Sequence, residues 1–408
     1  MRVLHLNTHS SGGSHEYAVF LSTALAEEGI ESHVLSRDSQ QLQSGKPFLD
    51  RVIRKAYVSF STEPWHGTRR LLSPPRSEEL QGCDLVHLHT VADWFNVPSW
   101  LETLPTGIGV VITLHDMWHF TGGCFLYRGC DRFTEVCAPC PILKTPLNRV
   151  LAKDEQRRKL QAYRSRRVQF VANSQWLADL ADRSPIIRAC GCSRVIPPGI
   201  DTDVLRPQEK AQCRAELGIP TDAFVIAAGA ASLTDINKNI PWLLEQLAGL
   251  SELEDVLVVL AGEGTLEIPI GLNVRLTGSV GDRVKRAMLF NAADVFVSAS
   301  LIETYGLTLI EAMSCGIPVV AFRTGGVPEA VPDEGGILCA LLDAAAFKAA
   351  IQKLRHSEAL RNELGNSARK LVAARNAKSR FAGAFARVYE ACLYPGQTRL
   401  IEQSALVP

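Results

Sequence analysis

Two glutamates, Glu303 and Glu311, lie on either side of Gly306 after the β-branched run Val295–Ser298, and we predict a helix from Leu307 onward. Carboxylates accept hydrogen bonds from pairs of hydroxyls, and the free N–H groups of a helix N-terminus bind phosphate. A ligand with hydroxyls at both ends and phosphates between them is a sugar nucleotide. The spacing predicts such a site at the C-terminal edge of a parallel sheet. The alternative is an ordinary helix whose acidic residues interact with its dipole.

A second glycine-bearing turn, Gly12-Gly13, follows the first predicted strand and precedes a helix. Glycines let a backbone approach a ligand closely, and the helix N-terminus offers N–H groups to an anion. The segment lacks the G-x-G-x-x-G pattern of dinucleotide-binding proteins. Taken alone, the glycines are explained equally well by the steric requirements of a strand-to-helix turn.

Four of the eleven cysteines are clustered, at Cys124, Cys130, Cys137 and Cys140. Four thiolates can close a tetrahedral zinc site, and since no position stays open such a zinc is structural. Two other arrangements fit the same spacing: reduced thiols packed under a loop, and a disulfide pair formed on oxidation.

Short β-branched runs alternate with helical patterns through both halves of the chain, which predicts βαβ units and an α/β fold with one doubly wound parallel sheet in each half. Most runs are apolar throughout, as in strands buried on both faces. The predicted strands are 3–7, 32–36, 85–89, 109–114, 168–172, 194–196, 224–229, 256–261, 273–276, 295–298, 318–321 and 336–338.

Prolines and a glycine interrupt both periodicities at Ile196–Pro207, so we place the domain boundary there. We predict an N-terminal Rossmann-like domain over 1–197, a C-terminal one over 198–385, and a terminal helix within 386–408 that can pack back across the N-terminal domain. The last helical patterns cover about 343–375 and 379–393.

The composition is that of a packed globular protein: 46% of the 408 residues are hydrophobic and 21% are charged. Lys+Arg and Asp+Glu both number 43, which argues against a nucleic-acid-binding protein. The sequence begins without a signal-peptide pattern and has no stretch long enough to span a membrane, which predicts a cytoplasmic protein. The basic segment Arg51–Arg76 is either a solvated surface or a contact for anionic lipid or a phosphorylated acceptor at the inner face of the membrane.

The run from Glu303 to Glu311, with the segments 316–321 and 325–329 after it, resembles the retaining glycosyltransferases of family 4. This family has the GT-B fold, in which two Rossmann-like domains face a central cleft. The resemblance covers most of the chain, and further matches follow in register at Gly12-Gly13, Pro197–Asp201 and Gly262–Gly264.

The resemblance implies roles for individual residues on the donor side. Glu303 would bind the hydroxyls of the donor sugar and Glu311 those of the ribose. Lys238 would neutralise the departing diphosphate, and Gly12-Gly13 would lie against the donor. The backbone N–H groups that would bind the diphosphate are those of Tyr305, Gly306 and Leu307.

The segment Thr113–Cys124 resembles a bacterial branch of the family involved in surface polysaccharides. His115 matches the family histidine that lies against the donor sugar near the reacting carbon, so the resemblance implies a catalytic role together with Glu303 and Lys238. Asp116 and Trp118 would belong to the acceptor side, where Asp116 either orients His115 or caps the next segment.

One departure from the family concerns the phosphates. Many members have an arginine a few residues before the lysine, and this chain has none between Phe224 and Lys238. Either Lys238 acts with helix dipoles alone, or a cation from elsewhere in the chain takes that role.

The activity implied by the resemblance is transfer of a sugar from a UDP- or GDP-sugar to a hydroxyl of a glycan, a lipid-linked molecule or a small molecule. The anomeric configuration is retained by front-face attack, and no metal is needed for chemistry. Two alternatives stay open: a sugar-nucleotide epimerase on the same fold, and a catalytically degenerate scaffold that binds nucleotide or glycan.

Overall fold

The computed structural model describes residues 1–39, 65–68, 72–126, 129–144, 146–250 and 254–394. The chain divides into two compact units, the first comprising Met1–Pro197 with the chain from Ser379 onward, and the second comprising Pro198–Lys378. The predicted boundary after residue 197 lies at the same position. The predicted end of the second domain at 385 is wrong, because residue 385 lies inside a helix that belongs to the first unit.

The described part of the first unit contains a six-stranded sheet in the order β2-β1-β3-β4-β5-β6. All neighbouring strands run parallel, as their buried apolar runs predict. The strands are β1 (Arg2–Asn7), β2 (Glu31–Ser36), β3 (Leu85–Leu88), β4 (Gly109–Leu114), β5 (Gln169–Ala172) and β6 (Arg194–Val195). The helices are α1 (Gly13–Glu27), α2 (Val97–Thr103), α3 (Pro146–Ser165), α4 (Gln175–Asp182) and α5 (Pro185–Arg188), with 3₁₀ turns at Arg37–Ser39, Trp118–Phe120 and Arg132–Thr134.

The second unit repeats this plan with a six-stranded parallel sheet in the order β12-β11-β10-β7-β8-β9, again counted over the described residues. The strands are β7 (Phe224–Ser232), β8 (Val256–Glu263), β9 (Val274–Gly278), β10 (Val295–Ser298), β11 (Val319–Phe322) and β12 (Gly336–Cys339). The helices are α6 (Lys210–Leu217), α7 (Ile240–Ala248), α8 (Arg283–Ala292), α9 (Leu307–Ser314), α10 (Val327–Ala330), α11 (Ala344–His356) and α12 (Glu358–Arg375).

The twelve predicted strands all form, with ends that shift by at most three residues. Alternate residues of a strand point to opposite faces, and both faces are buried: Leu4 and Leu6 pack in one cluster, while Val3 packs in another. The predicted helical stretch 343–375 consists of two helices instead of one. It breaks at Ser357, whose hydroxyl accepts the Leu360 N–H at 3.2 Å and caps α12.

The last described helix, α13 (Lys378–Leu393), belongs to the first unit from its second residue on. Its apolar face is buried against α1 and the sheet, with the Phe381 and Tyr17 rings 5.1 Å apart. The Tyr389 hydroxyl and His87 Nδ1 are 2.7 Å apart in this contact. The terminal helix therefore packs on the N-terminal domain as expected, but it begins at residue 378 instead of 386, and residues 395–408 lie outside the described part.

Within the described ranges, no helix combines the length and the apolar character required to cross a bilayer. Most of the basic segment Arg51–Arg76 lies outside the described residues, so its contact with lipid stays a prediction.

Candidate active site

Glu303 and Glu311 lie at the C-terminal edge of the second sheet. Strand β10 ends at Ser298 and α9 begins at Leu307, so Glu303 lies in the connecting loop and Glu311 lies in the second turn of the helix. Open α/β sheets bind their ligands at this edge. The loop and the helix therefore place both carboxylates where the sequence predicts a sugar-nucleotide site.

Asn237, in the loop after β7, fixes the backbone of the loop that carries Glu303. Its side-chain amide donates to the Ile302 carbonyl at 2.8 Å and accepts the Ile302 N–H at 3.1 Å. Its own carbonyl accepts the Leu301 N–H at 2.8 Å. An amide side chain offers a donor and an acceptor side by side, which lets it pair with a backbone as a neighbouring strand would. Asn237 was not identified from the sequence.

The Gly325-Gly326 turn holds Glu303 from the other side. The Gly326 N–H donates to the Glu303 carbonyl at 2.9 Å. Gly325 has a φ of +55°, and a Cβ at this position would lie 2.0 Å from the Glu303 carbonyl oxygen. Since no side chain fits there, the close approach of the two segments depends on glycine.

Lys238 and Glu303, two residues that the family resemblance implicates, form an ion pair in the structure. Their side chains keep 30% and 17% of their exposure, so both remain accessible to a ligand. Burial alone lowers the pKa of the Lys238 ammonium, but the charge and hydrogen bond of Glu303 and the charge of Asp235 outweigh it, and the pKa is raised above its usual value. Lys238 is therefore a fixed positive charge at neutral pH.

The N-terminus of α9 is adjacent to this pair in sequence. Gly306 precedes the helix with a φ of +97°, and a Cβ there would lie 2.7 Å from the Leu309 side chain. The first N–H groups of a helix have no acceptor within the helix and carry partial positive charge. The N–H groups of Gly306 and Leu307 are thus available for phosphate. The Tyr305 phenol is buried and accepts a hydrogen bond from Asn376 at 3.2 Å, so its side chain is part of the packing.

Glu311 is held by an arginine that sequence analysis missed. Arg286, on α8, directs Nη1 at both carboxylate oxygens of Glu311, at 2.8 and 3.1 Å. Both side chains are largely buried, with 14% and 9% of their exposure remaining. Helical periodicity identifies the face of α8 on which Arg286 lies. The contact between α8 and α9 forms only in the tertiary structure, so no pattern in the neighbouring sequence indicated this pair.

In the first unit, the predicted turn Gly12-Gly13 lies between β1 and α1, as expected. Gly12 has a φ of +86°, and a Cβ would meet nothing within 4 Å. The Gly12 carbonyl accepts the Glu16 N–H at 3.0 Å as the first hydrogen bond of α1. The turn requires glycine for its backbone angle, and the space beside it is open.

His115 follows β4 and is the end member of a chain of histidines. His115 Nε2 is 3.0 Å from His89 Nδ1, and His89 Nε2 is 3.1 Å from His5 Nδ1. Strands β1, β3 and β4 are adjacent, and His5 pairs with His87 in the strand register. The two-residue period of strands brings these rings to one face of the sheet. The sequence signal for this network was the repetition of histidines within or directly after predicted strands, and only His115 was identified.

Burial keeps these rings neutral. It lowers the pKa of His115 and of His5 to about 3, and it lowers the pKa of His89 well below its usual value, with further lowering from His87 and His115. A neutral imidazole donates through one nitrogen and accepts through the other. The nitrogen that carries the proton in His5 therefore determines which nitrogen carries it in His89 and in His115. His5 Nε2 has no hydrogen-bond partner among the described residues.

The ligand nitrogens of His5, His87 and His89 lie within 4.8 Å of one another, closely enough to consider a metal. Both ring nitrogens of His87 and of His89 already have hydrogen-bond partners. His87 meets Tyr389 through Nδ1 and Thr113 through Nε2, each at 2.7 Å. Because His89 uses both nitrogens in the chain as well, the cluster is a hydrogen-bonded network rather than an open set of ligands.

The two residues predicted on the acceptor side have mainly structural contacts. Asp116 Oδ1 accepts a hydrogen bond from the Trp118 N–H at 2.7 Å, so Asp116 caps the next segment. Burial raises the pKa of Asp116 to about 6, although that hydrogen bond and the charge of Lys159 lower it. Trp118 is 1% exposed and donates through its indole to the His66 carbonyl at 2.7 Å. The Trp118 ring is thus part of the core of the first unit, and its place on the acceptor side stays a prediction.

The four clustered cysteines are free thiols that surround one small cavity in the first unit. Burial raises the pKa of Cys124 to about 11 and that of Cys137 to about 12, with smaller effects of neighbouring groups. Lys159, a fully buried lysine on α3 that sequence analysis did not single out, donates to the Thr121 carbonyl at 3.2 Å beside this loop.

Two family descriptions match the chain, "Glycosyltransferase Family 4" over residues 11–204 and "Glycosyl transferases group 1" over residues 224–357. Among curated relatives, the D-inositol 3-phosphate glycosyltransferase of Mycobacterium tuberculosis (strain ATCC 25618 / H37Rv) is 36% identical over 155 residues. This match covers 34% of the present chain and 31% of the relative, so it spans about a third of that protein's length.

Similar solved structures cover nearly the whole chain. The sucrose-phosphate synthase of Thermosynechococcus elongatus aligns with a TM-score of 0.69 and 20% identity, over 95% of this chain and 98% of that one. Anabaena Alr3699/HepE in complex with UDP and glucose aligns with a TM-score of 0.62 and 17% identity, over 96% of this chain and all of that one. At these identities the likeness shows the fold, which is GT-B.

Proposed function

Because the chain belongs to glycosyltransferase family 4, we propose that it transfers a sugar from a nucleoside diphosphate donor to a hydroxyl group with retention of anomeric configuration. The observation that carries this proposal is the ion pair between Lys238 and Glu303 beside the N-terminus of α9. A cation, a helix N-terminus and a carboxylate in one loop cluster suit a ligand that joins phosphates to sugar hydroxyls.

In this proposal each group of the second unit has one task. The N–H groups at Gly306 and Leu307 bind the diphosphate, and Lys238 opposes the negative charge that grows on it as the glycosidic C–O bond breaks. Glu303 accepts hydrogen bonds from the sugar hydroxyls and fixes the ring. Glu311, held by Arg286, accepts hydrogen bonds from the two ribose hydroxyls.

The bond changes balance without a base from the protein. The pair of electrons in the C–O bond leaves with the diphosphate, and the acceptor oxygen bonds to the sugar carbon from the same face. Its proton passes to an oxygen of the leaving phosphate. From the family resemblance we assign to His115 the role of a neutral hydrogen-bonding ring, and burial supports the neutral state by lowering its pKa to about 3. The protein thus acts through position and charge.

For the donor we propose a UDP- or GDP-sugar. HepE, a protein of the same fold, has been solved with UDP, with UDP and glucose, and with UDP-glucose. For the acceptor we propose a glycan or lipid-linked hydroxyl of surface-polysaccharide synthesis, at the cytoplasmic side of the membrane, on the basis of the segment Thr113–Cys124.

The first experiment is a thermal-shift panel with UDP-, GDP-, ADP- and TDP-linked sugars without added metal. A ligand that binds the folded state raises the apparent melting temperature by mass action, so a selective shift identifies the base. The preferred donor is then incubated with candidate acceptors, and the anomeric configuration of the product is read by proton NMR.

Variants test the assignment of the site. Glu303→Gln keeps the shape of the side chain but removes its charge, and we expect kcat to fall by about 100-fold or more. Glu334→Gln, at an exposed glutamate of the same unit, is the matched control and should retain full activity. Near-normal turnover by Glu303→Gln contradicts the assignment. Conversion of the donor sugar without any acceptor indicates an epimerase, and binding without turnover indicates a scaffold.

A further inference from the structure

The first unit contains a cavity of about 20 Å³ lined by Cys124, Cys130, Cys137 and Cys140. The remaining lining residues are mostly apolar, including Met117, Phe133 and Pro141. Interiors are closely packed, and a cavity of this size holds about one water molecule. An apolar wall gives water few hydrogen-bond partners, whereas four sulfurs are the ligands that a soft cation prefers.

Backbone N–H groups point at two of these sulfurs. The Gly122 N–H lies 3.2 Å from Cys137 Sγ. The Cys140 sulfur accepts hydrogen bonds from the N–H groups of Ile142 and Leu143, two and three residues further on. Hydrogen bonds of this kind stabilise a thiolate more than a thiol, because the acceptor carries the charge. The loop backbone is thus arranged for sulfurs that have lost their protons.

The charges around the cavity favour an anionic cluster. Lys159 is fully buried, with its ammonium 3.8 Å from the centre of the Trp118 ring and 3.2 Å from the Thr121 carbonyl. These partners and the Trp118 carbonyl, 2.5 Å from the ammonium, are uncharged. Glu155 is the acidic group that acts most strongly on the ammonium, followed by Cys124, Cys137 and Asp116, so ionised sulfurs would add to the negative charge that Glu155 supplies. Burial of an ammonium is costly without a compensating negative charge.

We propose that the four cysteines bind one structural zinc ion. The ion displaces four thiol protons, which leave to solvent, and forms a tetrathiolate complex of charge −2, which the single positive charge of Lys159 partly balances. Four sulfurs fill the tetrahedron, so the ion has no open position and takes no part in transfer. The four sulfurs line one cavity, but no three of them lie within 4.8 Å of one another, as the ligand nitrogens of His5, His87 and His89 do. Zinc binding therefore draws the sulfurs together until each Zn–S bond is about 2.3 Å long.

The consequence is a rigid support for the segment that follows His115. The Met117 N–H donates to the Phe125 carbonyl at 2.9 Å, and Lys159 bonds the carbonyl of Thr121. The isolated bridge between Trp65 and Cys124 ties the same loop to an upstream segment. In the described residues 121–126 and 129–144 the regular structure is limited to the 3₁₀ turn Arg132–Thr134, so a metal centre supplies the order that secondary structure does not.

The test measures metal in the intact protein and does not depend on transferase activity. Protein expressed in zinc-supplemented medium and purified without chelator is analysed by mass spectrometry of metals. We expect about one zinc per chain. Cobalt(II) exchanged into the same protein should show the intense near-ultraviolet charge-transfer bands of thiolate ligation and the visible bands of a tetrahedral ion.

Two serine variants separate the site from ordinary packing. Cys137→Ser should lose the zinc and unfold at a melting temperature at least about 5 °C lower. Cys339→Ser, at a buried cysteine of the second unit, is the matched control and should keep one zinc per chain. If Cys137→Ser does not fold, the cobalt spectrum of the unmodified protein still decides the question.

Three results overturn the proposal: zinc far below one per chain, a cobalt spectrum without thiolate bands, and a thiol titration of the denatured protein that finds two or four of the eleven cysteines oxidised. The last result indicates disulfides. Iron in place of zinc, recognised by colour and metal analysis, also contradicts it. Loss of donor binding with zinc intact would overturn the transferase proposal and leave the zinc site unaffected.

Discussion

Arg286 Nη1 lies between the two carboxylate oxygens of Glu311, 2.8 Å from one and 3.1 Å from the other. This contact connects α8 to α9 and restricts the side chain that we assign to the ribose. A carboxylate held by a charge-assisted hydrogen bond loses little freedom when a ligand binds. The arginine thus prepares Glu311 for its ligand without needing to touch the ligand itself.

Replacement of Arg286 by methionine should weaken donor binding more than it slows turnover. Charge-assisted hydrogen bonds contribute about 1.5–3 kcal/mol, so we expect the KM for the nucleotide sugar to rise about 10-fold or more while kcat changes little. Lys285→Met, at an exposed lysine of the same helix, is the control and should leave both constants unchanged. A loss confined to kcat would place Arg286 at the leaving phosphate instead.

Gly325→Ala should displace the loop that carries Glu303. The substitution places a methyl group 2.0 Å from the Glu303 carbonyl oxygen at a φ of +55°, so the two segments must separate. We expect a stability loss of about 1–3 kcal/mol in urea unfolding, with activity near zero. The control is Gly281→Ala, where a Cβ meets nothing within 4 Å. An active Gly325→Ala enzyme would show that the position of Glu303 is not essential.

His89 should act as a positioning residue for His115. Suppose that His5 donates to His89 and that His89 donates to His115 Nε2. The proton of His115 is then on Nδ1, and the unpartnered Nε2 of His5 is an acceptor without a proton. Buried N–H groups without an acceptor are rarer than acceptors without a donor, which favours this direction.

The measurement for this prediction is nitrogen-15 NMR of histidine-labelled protein. It should find His115 protonated at Nδ1, and His89→Leu should mix the two tautomers and lower kcat by up to about 100-fold with little change in KM. His356→Gln, at an exposed histidine of the second unit, is the control. If His89→Leu only lowers the melting temperature and leaves kcat and the His115 tautomer unchanged, the role of His89 is packing alone.

The buried histidines should make the first unit sensitive to mild acid. Burial lowers the pKa of His5, His115 and His119 to about 3, while unfolded histidines titrate near pH 6.5. Between these values the folded chain binds fewer protons than the unfolded chain, so stability falls as pH drops below about 6.5. Asp116, with its pKa raised to about 6, opposes this trend as one group against several.

Each such histidine contributes up to about 1.4 kcal/mol per pH unit below 6.5. We therefore expect the melting temperature to fall steadily from pH 7 to pH 5, whereas His356→Gln should follow the same curve as the unmodified protein. A melting temperature that stays constant over this range would show that the imidazoles are already protonated or solvated in the folded state.

The sequence by itself determined the class of fold and indicated the residues to which we assign donor binding. Apolar runs of β-branched residues identify strands whatever surrounds them, because burial on both faces requires an uninterrupted apolar segment. The loop between Glu303 and Glu311 could be interpreted because its residues are close along the chain and lie at a strand-to-helix turn. Trp118 shows the limit of such interpretation, since a large aromatic residue beside a catalytic segment looks the same whether it faces a ligand or the core.

Tertiary structure decided everything that joins distant segments. Asn237 and Ile302 are 65 positions apart, and His5 and His89 are 84 positions apart, yet each pair is within hydrogen-bond distance. The helix from Lys378 joins the first unit although the second unit precedes it. Local propensities carry no information about such pairs, because the free energy that brings them together comes from burial of many residues at once. Residue types therefore indicated the chemistry, and the packing of the sheets and helices decided which residues hold the reacting groups in place.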